Sequence, residues 1–178
     1  MVMGLLNTYT EITAPEDSKS LLQAAKNQYG FIPNLLGIMS ESTELLQAYL
    51  NLSTLFSQTT LSAVEKNIVL LSVSRANNCD YCMSAHSKIA LGEGVSNEVI
   101  DAIFDSKSLE DKKLEALHAF TCSVVITRGF PGDDMVRNFL KNGYTTKNIL
   151  EVMLGIGLKT LSNYTNHMAH TTIDTQFK

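Results

Sequence analysis

The spacing of apolar residues is the feature that most restricts how this chain can fold. Apolar side chains recur at intervals of three and four residues in segment after segment, and no clear β-branched alternation with a period of two appears. Intervals of three and four match the helical repeat, whereas half-buried strands require alternation. The pattern therefore predicts an all-α protein, a compact bundle of roughly eight helices.

Capping residues, glycines and prolines indicate where these helices begin and end. We expect a first helix capped by Ser18 and stopped by Gly30, then a short helix over 34–39 and a longer one over about 42–57. Four later helices are expected over about 97–105, 109–128, 132–142 and 146–169. Lys66-Asn67-Ile68 and Lys147-Asn148-Ile149 each open an apolar helix, which hints at a duplicated helix pair.

The clearest boundaries lie in the middle of the chain. Ser62 and Glu65 form the S-x-x-E pattern of a capping box, which opens a helix through KNIVLLSVSRA with apolar residues suited to deep burial. That helix should end near Asn77-Asn78, and the next should begin at or just after Asn78 and run through CDYCMSAHSKIALGEG. The C-x-x-C pair is therefore expected in the first turn of a helix.

Composition limits the kind of protein this can be. The 178 residues suit one domain over 1–178 with a core of its own. A net charge of -4 and the absence of any Lys/Arg-rich run argue against nucleic acid as a partner. The N-terminal MVMGLLNTYT has no charged leader, and no apolar run approaches the roughly 20 residues that span a bilayer, so we expect a cytoplasmic protein without a membrane anchor.

The cysteine pattern points to thiol chemistry. Cys79 and Cys82 are three residues apart, and His86 follows four residues later, so all three share one helix face. In a reducing compartment this spacing is more often catalytic or metal-binding than structural. The attacking species is a thiolate, whose pKa the positive end of a helix lowers, and His86 could accept the thiol proton.

Glu65 is a candidate with two interpretations. It precedes Cys79 by 14 residues, about 21 Å along an unbroken helix, so it reaches the thiols only if the chain reverses between them. Such a reversal near Asn77-Asn78 would let Glu65 orient His86 in a carboxylate, imidazole and thiol relay. The capping box explains the same residue without any chemistry.

The segment from Glu65 to His86, with its R-A-N-N-C-D-Y-C-M-S-A-H, resembles the signature of the AhpD-like branch of the carboxymuconolactone decarboxylase superfamily. GFIPNL at 30–35 and KTLSNYTNHMAHTTID at 159–174 resemble flanking segments of its peroxidase-related members. The resemblance implies an AhpD-like helical fold with a six-helix core and homo-oligomers, often trimers or hexamers. It implies Cys82 as the attacking thiol, Cys79 as its disulfide partner, His86 as the base and Glu65 as the second member of the relay.

The resulting hypothesis is a thiol-dependent hydroperoxidase or disulfide reductase with an antioxidant role. Its substrate would be a small hydroperoxide or disulfide, and a dithiol such as a lipoyl protein or thioredoxin would restore the thiols. Beyond the redox-active Cys79–Cys82 disulfide we expect no cofactor. Tyr81, which stands where some family members have His, and His167 are candidates for substrate binding on the family likeness.

Other interpretations use the same residues. Cys79, Cys82 and His86 could form part of a zinc site, but no second Cys/His cluster lies nearby to complete four ligands, so we expect no metal. A lyase of the carboxymuconolactone decarboxylase type would not need the thiol pair, and a non-enzymatic redox sensor would use it without turnover. Cys122, four residues after His118 on an apolar helix, is expected to pack as a small hydrophobic side chain.

Overall fold

The computed structural model describes residues 5–178 and confirms the all-α prediction. Within that range there is no strand, and nine α-helices are followed by a single turn of 3-10 helix, Thr175–Phe177. The α-helices are α1 (Glu16–Tyr29), α2 (Asn34–Met39), α3 (Thr43–Ser57), α4 (Ala63–Ala76), α5 (Asp80–Gly92), α6 (Asn97–Phe104), α7 (Lys112–Ile126), α8 (Asp133–Lys141) and α9 (Thr146–Ala169). The prediction that the chain starts without a leader includes residues 1–4, and these four lie outside the described residues. No helix of the described range is long and apolar enough to cross a membrane.

The start of α1 differs from the prediction. The helix begins at Glu16 after Pro15, and Ser18 lies inside it rather than at its cap. Pro15 has a fixed backbone angle, and the acidic residues of the first turn complement the helix dipole, so no hydroxyl cap is required. Ser18 instead donates from Oγ to the carbonyl of Ser40 at 2.8 Å, which ties α1 to the segment before α3.

α4 is the central helix, and α5, α7 and α9 pack around it. The predicted capping box is present, with Ser62 Oγ accepting from the Glu65 backbone and Glu65 accepting from the Ser62 backbone. The apolar residues expected to be deeply buried are all inaccessible to solvent, namely Ile68, Val69, Leu71 and Val73. A helix buried on so many sides fixes the positions of its neighbours.

Gly155 lets α9 approach α3 and α4 closely. A Cβ atom at this position would lie 2.7 Å from Val69 Cγ1 and 2.8 Å from Phe56 Cε2, closer than such atoms can come. Only glycine therefore allows this spacing between the helices, and the spacing places the following turns of α9 beside α5.

The buried apolar residues form two clusters. One centres on α4 and α7 and includes Ile68, Leu117 and Phe120. The other, which includes Leu22 and Leu46, joins α1, α2 and α3 to the first turns of α5. A cavity that contains Cys82 in its wall is lined by residues of both clusters, so it lies along the boundary between them.

Candidate functional site

A reversal of the chain between α4 and α5 positions the two cysteines. Asn78 adopts a left-handed conformation with φ of 55°, a conformation that Asn tolerates better than most residues. The Asn78 N–H donates to the Arg75 carbonyl, and the Cys79 N–H donates to the Ser74 carbonyl at 2.9 Å, the pattern of a Schellman motif. Asn78 therefore ends α4, and the N-cap of α5 is Cys79.

Cys82 lines a cavity, whereas Cys79 lies behind it. The cavity has a volume of about 340 Å³ and is bounded by residues of α1 to α5, α9 and the C-terminal turn. Its walls are largely aromatic and aliphatic and include Tyr49, Phe56 and Tyr81. Cys79 is not among the lining residues, so a small molecule in the cavity meets the sulfur of Cys82.

Polar side chains of α9 surround both sulfurs. Asn166 Nδ2 lies 3.2 Å from Cys82 Sγ and 3.9 Å from Cys79 Sγ, and Ser162 Oγ lies 3.9 Å from Cys82 Sγ. Both cysteines are free thiols and each is only 1% exposed. The sulfurs are thus enclosed by hydrogen-bonding groups, and Cys82 faces the cavity.

The surroundings shift the pKa values of the two thiols in opposite directions. A hydrogen bond from Cys79 does most to lower the pKa of Cys82 well below its usual value, and Lys159, Asn163 and Asn166 add to this effect against the opposing effect of burial. The same hydrogen bond, followed by burial, raises the pKa of Cys79. These effects favour the thiolate form of Cys82 and the thiol form of Cys79.

The polar residues of α9 form a stripe that the sequence analysis missed. Lys159, Ser162, Asn163 and Asn166 are all buried and follow one another at intervals of three, one and three residues, which places them on one face. A row of polar residues within a long apolar helix was the available signal. It gave no indication that this face would meet residues about 80 positions earlier in the chain.

His86 lies in the same cavity. Its ring is partly buried, and its Nδ1 is enclosed with no hydrogen-bond partner among residues 5–178. Burial, and then the charge of Lys159, lower the pKa of His86 well below its usual value. The imidazole is therefore neutral at neutral pH, so it can accept a proton but holds none to donate as an imidazolium.

Tyr81 forms part of the cavity wall and fixes the C-terminal turn there. Its hydroxyl donates to Asp174 Oδ2 at 2.6 Å, and its ring lies edge-on to Phe177 with centroids 6.1 Å apart. Asp174 also accepts from the backbone N–H of Asn34 at 3.2 Å, at the start of α2. Tyr81 thus links α5, α2 and the chain end around the cavity.

Glu65 and His167 are not brought to the cavity, which both were predicted to reach. Glu65 makes the capping box with Ser62 and an ion pair with Lys113 at 2.8 Å, and the expected contact with His86 is not formed. The chain does reverse and brings Lys66 and Asn67, near the start of α4, to the cavity, but Glu65 is not among the residues that line it. His167 is exposed and stacks on Tyr164 because the buried face of α9 passes through its neighbour Asn166.

The third cysteine has a packing role in α7. Cys122 Sγ lies 3.8 Å from His118 Nδ1, and that nitrogen also pairs with Ser72 Oγ at 2.7 Å, away from the cavity. Burial raises the pKa of Cys122 to about 11, so its thiol stays protonated. Within the part of the chain that the structure describes, no group of three or more His, Cys, Asp or Glu side chains is arranged to hold a metal ion.

Part of the chain matches a known family. The model of the carboxymuconolactone decarboxylase family matches residues 43–120, a range that contains Cys79, Cys82 and His86. This match shows similarity to that family over less than half of the chain. No protein with a curated description matches the sequence.

Solved structures share the fold of this chain. An uncharacterized peroxidase-related protein with an AhpD core from Ralstonia eutropha JMP134 superposes with a TM-score of 0.84 at 16% identity, covering 96% of this chain and 92% of that one. A peroxidase-related protein from Silicibacter sp. TM1040 gives 0.79 at 15% identity, over 92% and 87%. The debrominase Bmp8, as a variant in complex with 2,3,4-tribromopyrrole, gives 0.81 at 18% identity, over 97% and 93%.

Proposed function

We propose that this protein is a thiol-dependent peroxidase with an antioxidant role, in which Cys82 attacks a small hydroperoxide. One observation carries the proposal: Cys82 faces an apolar cavity of about 340 Å³ while its sulfur is held by hydrogen-bond donors that favour the thiolate. The family match and the fold shared with peroxidase-related proteins support the same reaction class.

The proposed reaction oxidises the cysteine pair by two electrons. The Cys82 thiolate attacks the terminal peroxide oxygen, so an S–O bond forms, the O–O bond breaks and the second oxygen leaves and takes up a proton. Cys79 then attacks the sulfenic sulfur, which forms the Cys79–Cys82 disulfide and releases water. An external dithiol, such as a lipoyl group or thioredoxin, reduces the disulfide by two exchange steps.

Three matched serine variants test the proposed roles. Cys82→Ser should abolish peroxide consumption with a dithiol donor, whereas Cys79→Ser should react once and then stop with a trapped sulfenic acid on Cys82. Cys122→Ser is the control and should turn over normally, because this thiol is protonated and lies outside the cavity. Undiminished turnover by the Cys82→Ser variant would overturn the proposal.

A second candidate is reductive removal of a halogen from a small aromatic compound. The aromatic and aliphatic walls of the cavity favour a flat apolar substrate, and a debrominase shares the fold. In this reaction the two thiols become a disulfide, the carbon–halogen bond becomes a carbon–hydrogen bond, and halide and a proton are released. Halide release from 2,3,4-tribromopyrrole with a dithiol donor, in the absence of peroxide consumption, would favour this candidate over the first.

A further inference from the structure

Lys159 is a buried lysine that the reaction described above leaves without a role. It is 1% exposed and lines the cavity together with Cys82 and His86. None of the ion pairs among residues 5–178 includes it. Burying an ammonium group without a partner anion is costly, so a lysine kept in such a position needs an explanation.

Its position on α9 directs Lys159 to the reacting sulfur. Ser162 and Asn166 follow Lys159 by three and seven residues on the same helix face, and both lie against Cys82. Lys159, Cys82 and His86 line the same cavity, and the positive charge of Lys159 lowers the pKa values of both Cys82 and His86. Cys82, when ionised, is therefore an anion in the same cavity as this cation.

Cleavage of an alkyl hydroperoxide requires a proton that few groups in the cavity can provide. The leaving alkoxide is strongly basic and must be protonated as the O–O bond breaks. His86 is neutral and has no proton to give as an imidazolium. Cys79 keeps its proton in the hydrogen bond to Cys82 and loses it only in the later step that releases water. Lys66, at the mouth of the cavity, donates instead to the Ser57 carbonyl.

We propose that Lys159 is the general acid of this reaction and donates an ammonium proton to the oxygen that leaves when Cys82 attacks. The proposal rests on the proposed peroxidase function. In this step the sulfur–oxygen bond forms, the oxygen–oxygen bond breaks, one proton passes from Lys159 to the alkoxide to give an alcohol, and the resulting amine regains its proton from water.

The test compares two peroxides that differ in their need for a proton. The alkoxide that leaves tert-butyl hydroperoxide must be protonated, whereas peracetic acid releases acetate, which is stable as an anion. Single-turnover oxidation of the reduced protein would be measured with both in wild type, Lys159→Met and Lys159→Arg. Lys88→Met, which removes an exposed lysine of α5, is the control.

The rates must be compared where Cys82 is fully ionised in each variant, since Lys159 also favours the thiolate. A pH profile of iodoacetamide alkylation gives this range for each protein. The profile is interpreted with the titratable groups of every surrounding element in view, which are Tyr29, Tyr49, Lys66, Cys79, Tyr81, Cys82, His86 and Glu93.

Lys159→Met should react with tert-butyl hydroperoxide at least about 100-fold more slowly than wild type, and with peracetic acid less than about tenfold more slowly. Lys159→Arg keeps the charge but holds its proton too tightly to give it up, so it should stay at least about tenfold slow with the alkyl hydroperoxide alone. Equal losses with both peroxides, or recovery of the alkyl hydroperoxide rate by arginine, would overturn the proposal. If wild-type Cys82 is not oxidised by either peroxide, the proposed function itself fails.

Discussion

Asn166 places an amide N–H 3.2 Å from the Cys82 sulfur, inside a site that solvent barely reaches. A hydrogen bond to a buried anion contributes about 1.5–3 kcal/mol, which corresponds to one or two pKa units. Replacing Asn166 with Ala should therefore raise the pKa of Cys82 by at least about one unit and slow its alkylation by iodoacetamide below that pKa. The measurement is the alkylation rate as a function of pH. His167→Ala, an exposed neighbour, should leave the profile unchanged, and a profile unaltered in Asn166→Ala would contradict the assignment.

Glu65 is expected to matter for stability rather than for thiol chemistry. Burial raises its pKa, but Lys113 and Ser62 outweigh this effect, so the pKa is lowered overall. A carboxyl whose pKa is depressed by folding stabilises the protein above its unfolded-state value and loses that contribution as pH falls through the folded-state value. Glu65→Gln should therefore unfold more easily at neutral pH by no more than about 1 kcal/mol, because solvent screens the ion pair with the exposed Lys113, and the difference from wild type should shrink in acid.

Urea unfolding at several pH values measures this difference, and the alkylation rate of Cys82 should be the same in Glu65→Gln and wild type. If Glu65→Gln kept full stability but lost peroxide reduction, this result would instead support the relay of Glu65, His86 and a thiol that was predicted from the sequence. The exposed Lys113 provides a second check, because Lys113→Met should reproduce part of the same loss.

Local spacing is sufficient to predict some of the site and insufficient for the rest. Cys79, Cys82 and His86 lie within two turns of one helix, so their order in the sequence already fixes their relative positions. Asn166 contacts the Cys82 sulfur from α9, about 80 residues further along the chain, and Lys159 of the same helix lines the same cavity. Their approach depends on how α9 packs, which helical periodicity does not specify. Glu65 does not line the cavity, because its position depends on the angle of the chain reversal and not only on whether a reversal occurs.

Among the helices, α9 has the geometry on which the site depends most. Gly155 allows its close approach to α3 and α4, and the polar stripe begins one turn later at Lys159. A methyl group at Gly155 would overlap Val69 and Phe56, and overpacking of this kind costs about 1–3 kcal/mol. Gly155→Ala should therefore lower the free energy of unfolding and also slow Cys82 alkylation, because the stripe moves away from the sulfur.

Gly157, two residues further along the same helix, is the matched control. It is exposed, and a Cβ atom there would meet nothing within 4 Å. Gly157→Ala should stabilise the protein by up to about 1 kcal/mol through helix propensity alone. Urea unfolding of both variants measures the contrast, and equal effects of the two substitutions would show that close helix packing at Gly155 is not limiting.

The boundary between α4 and α5 shows how much of a helix boundary can be predicted from capping residues in the sequence. The sequence places the break at Asn77-Asn78, and the break is there, but Asn78 ends α4 in a left-handed conformation instead of capping α5. Both roles suit asparagine, because its short polar side chain favours N-caps and tolerates positive φ. The Schellman hydrogen bonds, which involve only backbone atoms, decide between them.

Across the whole molecule, the cavity is closed by segments that are far apart in sequence. The start of α2, the first turn of α5 and the C-terminal turn meet through Asn34, Tyr81 and Asp174. The single domain over 1–178, the cytoplasmic location, the homo-oligomeric assembly and the dithiol partner stay predictions. The all-α fold was predictable because it follows from periodicity, whereas the cavity follows from tertiary contacts between segments that are far apart in sequence.

Asp174 joins these segments, so its loss should loosen the cavity wall. Its carboxylate accepts from the Tyr81 hydroxyl at 2.6 Å and from the Asn34 backbone N–H at 3.2 Å, and an amide in its place retains only one acceptor oxygen. Asp174→Asn should leave one buried donor without a partner and lower the free energy of unfolding by about 1–3 kcal/mol. Tyr81 and Phe177 should then separate more readily and admit larger reagents. Relative to wild type, the rate of Cys82 alkylation should increase more for the bulky N-ethylmaleimide than for the smaller iodoacetamide. Thr175→Ala, at an exposed neighbouring position, should change neither quantity, and an Asp174→Asn variant that matches wild type in both would show that the chain end does not hold the wall.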